Sequence, residues 1–372
     1  MKTTRSLFLT PIIKVVGDYC NNRCGYCFYH NNNQTIDKQM SLGVLESFLR
    51  QHIALVSGNL SFIWHGGEPL LIGLDFFKKI VSLQAELTSG KRLIRNSVQT
   101  NGTLITEEWA EFFKRNSFGV GVSLDGDSES HNLFRIDHNG QGTFSNTIRG
   151  IKILQKYGIK LSIIQTLTQA NSNRVEQNLD FFVDKAQLSS LCINPYLDID
   201  GNNKDMIGQS LSNDQLTQSM RKYIDFWFDR DDAKLRIREI DACLSGVFGR
   251  RARNCSYNGS CHSFYTLGHD GSVYPCDRLS GDSRFCFGKL SQKSLEEILT
   301  ERKRKAFTQK SRKLPNDCIL CELKNSCNNG CTAHRIGGAE GKYFFCQSRK
   351  EVHAYLRDKT QKVLGKKVQT RL

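Results

Sequence analysis

Three closely spaced cysteines near the N-terminus constrain this chain more than any other feature. Cys20, Cys24 and Cys27 follow a predicted strand, with three and then two residues between them. Three thiolates in one loop can hold three corners of a [4Fe–4S] cube and leave the fourth iron without a protein ligand. A zinc knuckle is the alternative, but zinc sites usually take four protein ligands and no fourth candidate is near. The loop therefore predicts a cluster with an open iron.

The first half of the chain alternates short β-rich runs with amphipathic helical segments. This order is typical of βα units around a parallel sheet, and we predict an α/β fold with a partial, TIM-like (β/α)6 barrel. Active sites in such folds lie where strands end and loops begin. The predicted strands are Ile12–Val16, Leu60–His65, Ser97–Thr100, Gly119–Ser123, Leu161–Thr166 and Leu191–Asn194. The predicted helices are Leu42–Val56, Asp75–Leu87, Glu107–Arg115, Phe144–Tyr157 and Arg174–Lys185.

The pattern changes after residue 200. A polar, glycine-containing stretch precedes an aromatic-rich helical segment, Gln215–Phe228. Beyond Arg250 the periodicity weakens and cysteines become frequent, as expected where metal sites replace part of a hydrophobic core. The lysine-rich segment Asp358–Leu372 is predicted to be a solvated or frayed tail. The predicted domains are a barrel over 1–210, a helical linker over 211–250 and a cluster-bearing domain over 251–372.

Composition indicates a metalloprotein of a reducing compartment. The chain has 372 residues and 14 cysteines, so it is longer and less cysteine-dense than a secreted disulfide scaffold. An apolar run from Leu7 to Val16 resembles a secretory signal, but Lys14 interrupts it. No stretch reaches the roughly 20 apolar residues of a membrane span, so we expect a cytoplasmic protein without a membrane partner. The formal charge of +15 falls to roughly +10 if eleven thiolates hold three clusters.

The spacing Cys20-x3-Cys24-x2-Cys27 is the signature of the radical S-adenosylmethionine (SAM) superfamily, which this chain resembles. In that family SAM chelates the open iron, and an electron cleaves SAM to give a 5′-deoxyadenosyl radical. Three further segments match in order: Gly66-Gly-Glu-Pro69, Gln99-Thr-Asn-Gly102 and Ser123-Leu-Asp-Gly126. Arg135 could instead be an ordinary surface arginine. The SAM contacts that the resemblance implies are Tyr26, Gly66, Gly67, Glu68, Gln99, Ser123, Arg135 and Leu197.

Two groups of cysteines stand out in the C-terminal part. Taken alone, the group from Cys318 to Cys346 fits a zinc ribbon as well as it fits an iron–sulfur site. Together with the element Cys261-x9-Gly271-x4-Cys276, the order resembles the SPASM extension of radical SAM enzymes. Three leftover cysteines, Cys192, Cys243 and Cys286, are predicted to be core residues. The two closed clusters that the resemblance implies have the ligands Cys255, Cys261, Cys276 and Cys331, and Cys318, Cys321, Cys327 and Cys346.

Within this superfamily the chain most resembles the anaerobic sulfatase maturases, which convert Cys or Ser to formylglycine. The resemblance rests on the overall length, on the stretch Cys27-Phe-Tyr-His and on the segment Asn96–Ile105. In those enzymes an aspartate at the position of Asp277 accepts a proton from the substrate. Asp277 is therefore a candidate catalytic base, and a surface aspartate in a turn is the alternative.

One position departs from the sulfatase maturases. They commonly carry Gln before Gly-Gly-Glu-Pro, whereas this chain has His65, which is similar to maturases of ribosomally made peptides. Because that residue faces the substrate in relatives, His65 is a candidate substrate contact. We predict a peptide maturase that forms carbon–carbon or thioether crosslinks, with sulfatase maturation as the alternative. The implied partners are a precursor peptide or a sulfatase, and an electron donor such as flavodoxin or ferredoxin.

Two other functional classes are open on the basis of charge. A basic surface would suit a radical SAM enzyme that modifies RNA, or a non-catalytic zinc-ribbon protein that binds nucleic acid. No basic platform interleaved with aromatic residues and no RNA-binding module is recognised, so nucleic acid is not an expected partner. The basic stretch Arg302–Lys313 is predicted to be a solvated helix face or a dock for an acidic leader peptide.

Overall fold

The computed structural model describes residues 9–29, 39–199, 203 and 206–369, with side chains described as far as residue 365. The chain divides into two compact units. The first contains the residues up to Leu124, together with His131–Leu161 and Cys261–Thr308. The second contains Asp125–Ser130, Ser162–Ser260 and the residues from Gln309 onward. Residues 261–308 thus share a unit with the N-terminal strands, and the domain limits inferred from the sequence remain a prediction.

The strands of the N-terminal half follow the predicted order, and β2 and β4 have the predicted limits. Most of the remaining strands are short. The strands are β1 (Thr10–Lys14), β2 (Leu60–His65), β3 (Ile94–Thr100), β4 (Gly119–Ser123), β5 (Leu161–Leu167), β6 (Ser190–Pro195), β7 (Arg236–Ile237), β8 (Phe264–Leu267), β9 (Ser272–Tyr274), β10 (Gly288–Lys289), β11 (Arg335–Ile336) and β12 (Lys342–Tyr343).

Several helices begin at side chains that accept hydrogen bonds from free backbone N–H groups. Ser41 and Thr106 cap α1 and α3, and Ser212 forms a capping box at the start of α7. The helices are α1 (Leu42–Leu55), α2 (Leu74–Thr88), α3 (Glu107–Arg115), α4 (Ser128–Asn132), α5 (Phe144–Lys156), α6 (Val175–Asp180), α7 (Asn213–Arg230), α8 (Arg238–Val247), α9 (Cys255–Asn258), α10 (Leu295–Thr300), α11 (Arg302–Arg312), α12 (Asn316–Ile319), α13 (Lys324–Cys327) and α14 (Cys346–Gln369).

The first unit is built on a mixed sheet. β1 pairs in parallel with both β2 and β8, β2 pairs with β3, and β3 pairs with β4. β9 and β10 extend the sheet beyond β8 in antiparallel fashion. Burial alternates along β2, where Leu60, Phe62 and Trp64 are buried. Because successive side chains of a strand point to opposite faces, His65 lies on the face opposite Trp64, at the end of the strand.

The second unit contains the parallel strands β5, β6 and β7 and most of the C-terminal helices. Its core includes the fully buried side chains of Phe182, Tyr223 and Phe345. The predicted helix after Arg174 ends in a π-helical segment, Phe181–Lys185. The segment predicted to be a solvated or frayed tail is not frayed as far as residue 369, because α14 continues through it. Among the described residues, none of the helices has the length and apolar composition of a membrane span.

Candidate active site

The loop after β1 carries the first three cysteines, and neighbouring polar side chains fix its shape. The Cys20 Sγ accepts hydrogen bonds from the backbone N–H of Asn22 at 3.4 Å and from Asn101 Nδ2 at 3.7 Å. Asn101 Nδ2 also donates to Asn21 Oδ1 at 2.9 Å, and Asn21 Nδ2 donates to Thr103 Oγ1 at 2.9 Å. The segment after β3 therefore holds the cysteine loop from one side.

The thiols of this loop lie in surroundings that suit a cluster. Arg135 is buried, its Nη1 lies 4.0 Å from Cys24 Sγ, and its guanidinium lies 5.3 Å from the centre of the Tyr26 ring. Burial, followed by the charge of Cys24, raises the pKa of Cys27 to about 12, against the opposing effect of the nearby Arg135 guanidinium. Arg135 is therefore not the ordinary surface residue of the alternative interpretation.

The two glycines after β2 are required by close packing. Gly66 and Gly67 have φ of +82° and +48°, in the region that side chains disfavour. A Cβ on Gly67 would lie 1.9 Å from the backbone oxygen of Tyr19, and one on Gly66 would lie 2.5 Å from Lys14 Cγ. Both glycines thus bring the segment against β1 and the start of the cysteine loop.

The side chain of Glu68 accepts hydrogen bonds from other groups of the protein. It is fully buried, and its carboxylate accepts hydrogen bonds from Thr100 Oγ1 at 2.7 Å, from Asn101 N at 2.7 Å and from Leu70 N at 3.1 Å. Burial raises the pKa of Glu68 to about 7, against the opposing effect of these three donors. The carboxylate therefore ties the glycine segment to the end of β3.

The other predicted SAM contacts fall at strand ends. Gln99 Nε2 donates to Ser123 Oγ at 3.1 Å, so the ends of β3 and β4 are joined by a polar pair. Leu197 belongs to the second unit and remains a prediction from the resemblance. Among the predicted contacts of the first unit, the structure shows the hydrogen bond from Gln99 to Ser123 and the contact of Arg135 with Tyr26.

Asp277 begins a short 3-10 helix, Asp277–Leu279, immediately after Cys276. Its side chain is 14% exposed, and its Oδ1 accepts a hydrogen bond from the Tyr29 hydroxyl at 2.5 Å. The ammonium of Lys14 lies 3.8 Å from the centre of the Tyr29 ring and donates to Ser280 Oγ at 3.1 Å. Lys14 also forms an ion pair with Asp18. Asp277 is therefore part of a largely buried polar network and is not a fully exposed residue, and its role as a base remains a prediction.

These neighbours set the protonation state of Asp277. Burial alone would raise the pKa of Asp277. A protonated His65, the Lys14 ammonium and the Tyr29 hydrogen bond together lower this pKa by more than burial raises it, so the pKa of Asp277 lies below its usual value. Burial and the charge of Asp277 raise the pKa of Tyr29 well above its usual value. Asp277 is therefore ionised at neutral pH, and Tyr29 stays a hydrogen-bond donor.

His65 lies beside this carboxylate, with its Nδ1 3.9 Å from Asp277 Oδ2. The same Nδ1 accepts a hydrogen bond from the backbone N–H of Gly66 at 2.6 Å. The structure therefore places His65 next to the candidate base, and its contact with the substrate remains a prediction.

Sequence reasoning missed Tyr29 and Lys14 as site residues. Tyr29 lies in the stretch Cys27-Phe-Tyr-His that carries the family resemblance, which was the available signal. Lys14 is 3% exposed and interrupts an apolar run, and a lysine in a buried strand is a recognisable anomaly. Both residues act on Asp277, which is about 250 positions away in the chain, and no local pattern reports that distance.

The C-terminal cysteines divide between the two units. Cys318, Cys321, Cys327 and Cys346 line one cavity of the second unit. Cys261 and Cys276 belong to the first unit and Cys255 and Cys331 to the second, so that ligand set remains a prediction from the resemblance. Of the leftover cysteines, Cys243 is buried in α8, whereas Cys192 and Cys286 are partly buried. Within the described residues, no group of three or more His, Cys, Asp or Glu side chains lies close enough together to hold a single metal ion.

Comparison with protein-family models gives the class of protein. The model of the radical SAM superfamily matches residues 15–182, and the model of the SPASM iron–sulfur cluster-binding domain matches residues 255–322. The chain is thus a radical SAM enzyme that modifies a peptide or protein, and it uses SAM and [4Fe–4S] clusters. The predicted fold and class of enzyme are confirmed.

Comparison with individual proteins narrows the class. The chain is 33% identical to the cysteine-type anaerobic sulfatase-maturating enzyme of Clostridium perfringens, a match that covers 93% of this chain and 96% of that protein. It is 29% identical to the serine-type enzyme of Bacteroides thetaiotaomicron, over 93% and 89% of the two chains. The solved structure of native anSMEcpe with bound AdoMet and Cp18Cys peptide has a TM-score of 0.87 and 32% identity, covering 96% and 99%. The chain belongs to the family of anaerobic sulfatase-maturating enzymes.

These relatives help to decide between peptide crosslinking, which His65 had suggested, and sulfatase maturation. They favour sulfatase maturation, the alternative interpretation, over crosslinking of a ribosomally made peptide. The identity of one residue before the glycines is outweighed by a likeness that extends over nearly the whole chain. His65 lies at the candidate active site. It is one position at which this chain differs from the sulfatase maturases, which commonly have Gln there.

Proposed function

We propose that this enzyme oxidises a cysteine or serine of a sulfatase to formylglycine. The observation that carries the proposal is the Asp277 carboxylate, which accepts a hydrogen bond from Tyr29 and lies in the same compact unit as the cysteine loop. Oxidation of a side-chain carbon to an aldehyde requires a proton acceptor, and a positioned carboxylate is suited to that task. The names of the relatives supply the substrate class.

The residues of the first unit fit the cofactors that the family uses. In the proposal, Cys20, Cys24 and Cys27 hold one [4Fe–4S] cluster. When bound there, the cluster and SAM would supply the 5′-deoxyadenosyl radical that removes a hydrogen atom from the substrate. The hydrogen bonds that Cys20 accepts and the nearby Arg135 favour the anionic state of a thiolate-bound cluster. The remaining eight cysteine ligands hold two auxiliary clusters, and a flavodoxin or ferredoxin supplies electrons.

The segments around the glycines then serve to bind SAM. Because the Glu68 carboxylate is occupied by three internal donors, Gly66, Gly67 and Glu68 contact SAM through their backbone groups. Arg135, Ser123 and Gln99 provide side-chain donors, and Tyr26 and Leu197 provide contact surface. Glu68 acts as a positioning residue in this arrangement.

The two oxygens of Asp277 have different roles. Oδ1 accepts the hydrogen bond of Tyr29, whereas no described residue donates a hydrogen bond to Oδ2. Oδ2 is therefore the oxygen that would take the proton of the substrate after a hydrogen atom has left, while the electron that is released in the same oxidation would pass to an auxiliary cluster. His65, at 3.9 Å from Oδ2, lies where the substrate side chain must approach, so it is a substrate contact.

The test uses two peptides that carry the target segment of a sulfatase, one with Cys and one with Ser at the modified position. With SAM, a reductant and the reconstituted enzyme, we expect an aldehyde on at least one of them, detected by mass and by capture with a hydrazide. A precursor-like peptide that acquires an internal crosslink, with no aldehyde on either sulfatase peptide, would instead establish the peptide maturase.

Tyr29→Phe is expected to lower the rate of product formation about tenfold while SAM cleavage continues. The variant removes one hydrogen bond to a charged carboxylate, and such bonds contribute about 1.5–3 kcal/mol. That hydrogen bond lowers the pKa of Asp277, so its loss raises this pKa. Because the active form is the carboxylate, present above the pKa, the acidic limb of the pH–rate profile should move to higher pH. An unchanged profile together with an unchanged rate would show that Tyr29 only packs.

A further inference from the structure

Arg349 is a buried cation in α14, three residues after Cys346. Its side chain is enclosed in the second unit, and the whole residue is only 9% exposed. The guanidinium lies 3.4 Å from the centre of the Tyr257 ring and 5.3 Å from that of Tyr343. It donates to the Tyr343 hydroxyl at 3.3 Å and to the backbone oxygen of Ser256 at 3.4 Å.

No carboxylate among the described residues forms an ion pair with this guanidinium; its described partners are rings, a phenol and a carbonyl. A charge that is removed from water without an opposite charge costs several kcal/mol, and arginine does not lose its proton in proteins. The aromatic rings recover part of that cost. A buried arginine in this position therefore calls for an anion.

Residues that would hold an anion lie in the same cavity. Arg349 and Tyr343 line the same cavity of the second unit as Cys318, Cys321, Cys327 and Cys346. Four thiolates around a [4Fe–4S] core leave a net charge of about −2, which becomes about −3 when the cluster takes up one electron. The buried cation and the cluster site are thus complementary in charge.

We propose that Arg349 is the built-in countercharge of this auxiliary cluster and raises its reduction potential. The proposal rests on the proposed function, which assigns the four cysteines to a cluster. A fixed positive charge stabilises the reduced cluster more than the oxidised one, because the reduced form carries one more negative charge. In a site shielded from water this preference is screened very little by solvent or salt. Arg349 is a positioning and tuning residue, since it binds no iron.

The test compares four variants of the reconstituted full chain with the wild-type protein. Arg349→Met removes the buried charge, Arg349→Lys keeps it, and Lys350→Met removes an exposed charge that lines the same cavity. The double variant Cys318→Ala/Cys321→Ala identifies the spectroscopic signal of this cluster, because that signal and about four iron atoms should be lost. Iron content, 5′-deoxyadenosine formation and a reductive titration followed by electron paramagnetic resonance are measured for each protein.

We expect Arg349→Met to lower the equilibrium constant for one-electron reduction of this cluster at least tenfold, which is about 59 mV. Lys350→Met and Arg349→Lys should shift it by much less. Loss of the cluster in Arg349→Met but not in Arg349→Lys would also support the countercharge. The proposal would be overturned by an unshifted potential in Arg349→Met, or by loss of the cluster in both Arg349→Met and Arg349→Lys. Either result would show that Arg349 serves only in packing. Full iron content in the double cysteine variant would overturn the cluster assignment itself.

Discussion

Replacing Cys20, Cys24 and Cys27 together with Ala should abolish reductive cleavage of SAM. In the proposed assignment only this loop leaves an iron open to SAM, since each auxiliary cluster has four protein ligands. The wild-type protein should hold about twelve iron atoms after anaerobic reconstitution, and the triple variant about eight. The measurements are iron content and 5′-deoxyadenosine formation in the presence of a strong reductant.

A matched control is available in the same chain. Replacing the three leftover cysteines, Cys192, Cys243 and Cys286, with Ala removes as many thiols but should leave both the iron content and SAM cleavage unchanged. Production of 5′-deoxyadenosine by the first triple variant would show that the open iron is held elsewhere. Stoichiometric zinc with little iron in the wild-type protein would count against the clusters as a whole.

Asp277→Asn should separate hydrogen abstraction from product formation. Asn keeps the shape of the side chain but cannot accept a proton from the substrate, and a general base usually contributes about 10²–10⁴-fold. We therefore expect product to fall by about 10²-fold or more, while SAM binding and 5′-deoxyadenosine formation are retained. The measurement is the ratio of 5′-deoxyadenosine to modified peptide, with the true substrate present.

The control for this variant is Asp282→Asn in the same loop. Asp282 pairs with Arg284 at the protein surface, so its neutralisation should change neither product formation nor the ratio. If Asp277→Asn forms product at the wild-type rate, the base lies elsewhere and the network of Tyr29 and Lys14 has another purpose. A variant that loses SAM cleavage as well would indicate damage to the site and not loss of a base.

Local patterns in the sequence predicted much of the first half of the fold. The limits of β2, β4 and α3 agree with the structure, because β-branched runs and capped amphipathic helices are local signals. The cysteine loop and Asp277 were predicted from spacing and resemblance. Their joint membership of one unit was not, since it depends on the pairing of β1 with β8.

The polar network could not be predicted for a related reason. The network consists of a contact of Lys14 with the Tyr29 ring and a hydrogen bond from Tyr29 to Asp277. Contacts between such distant positions produce no periodic pattern in the sequence. In the sequence, Arg349 is one of many basic residues. Only the structure shows that it is buried between two tyrosines. The orientation of Glu68 likewise depends on donors that β3 and its following turn supply.

The position of β8 beside β1 also affects how the chain can be made. The ribosome finishes β1 at Lys14, but the partner strand begins only at Phe264. At about 5–20 residues per second, that edge of β1 stays without its partner for roughly 12–50 s of synthesis. An unpaired strand edge is a template for association with other chains. The segment Cys261–Thr308 therefore also completes the first unit, so a chain released before β8 would carry the SAM loop on an unfinished sheet.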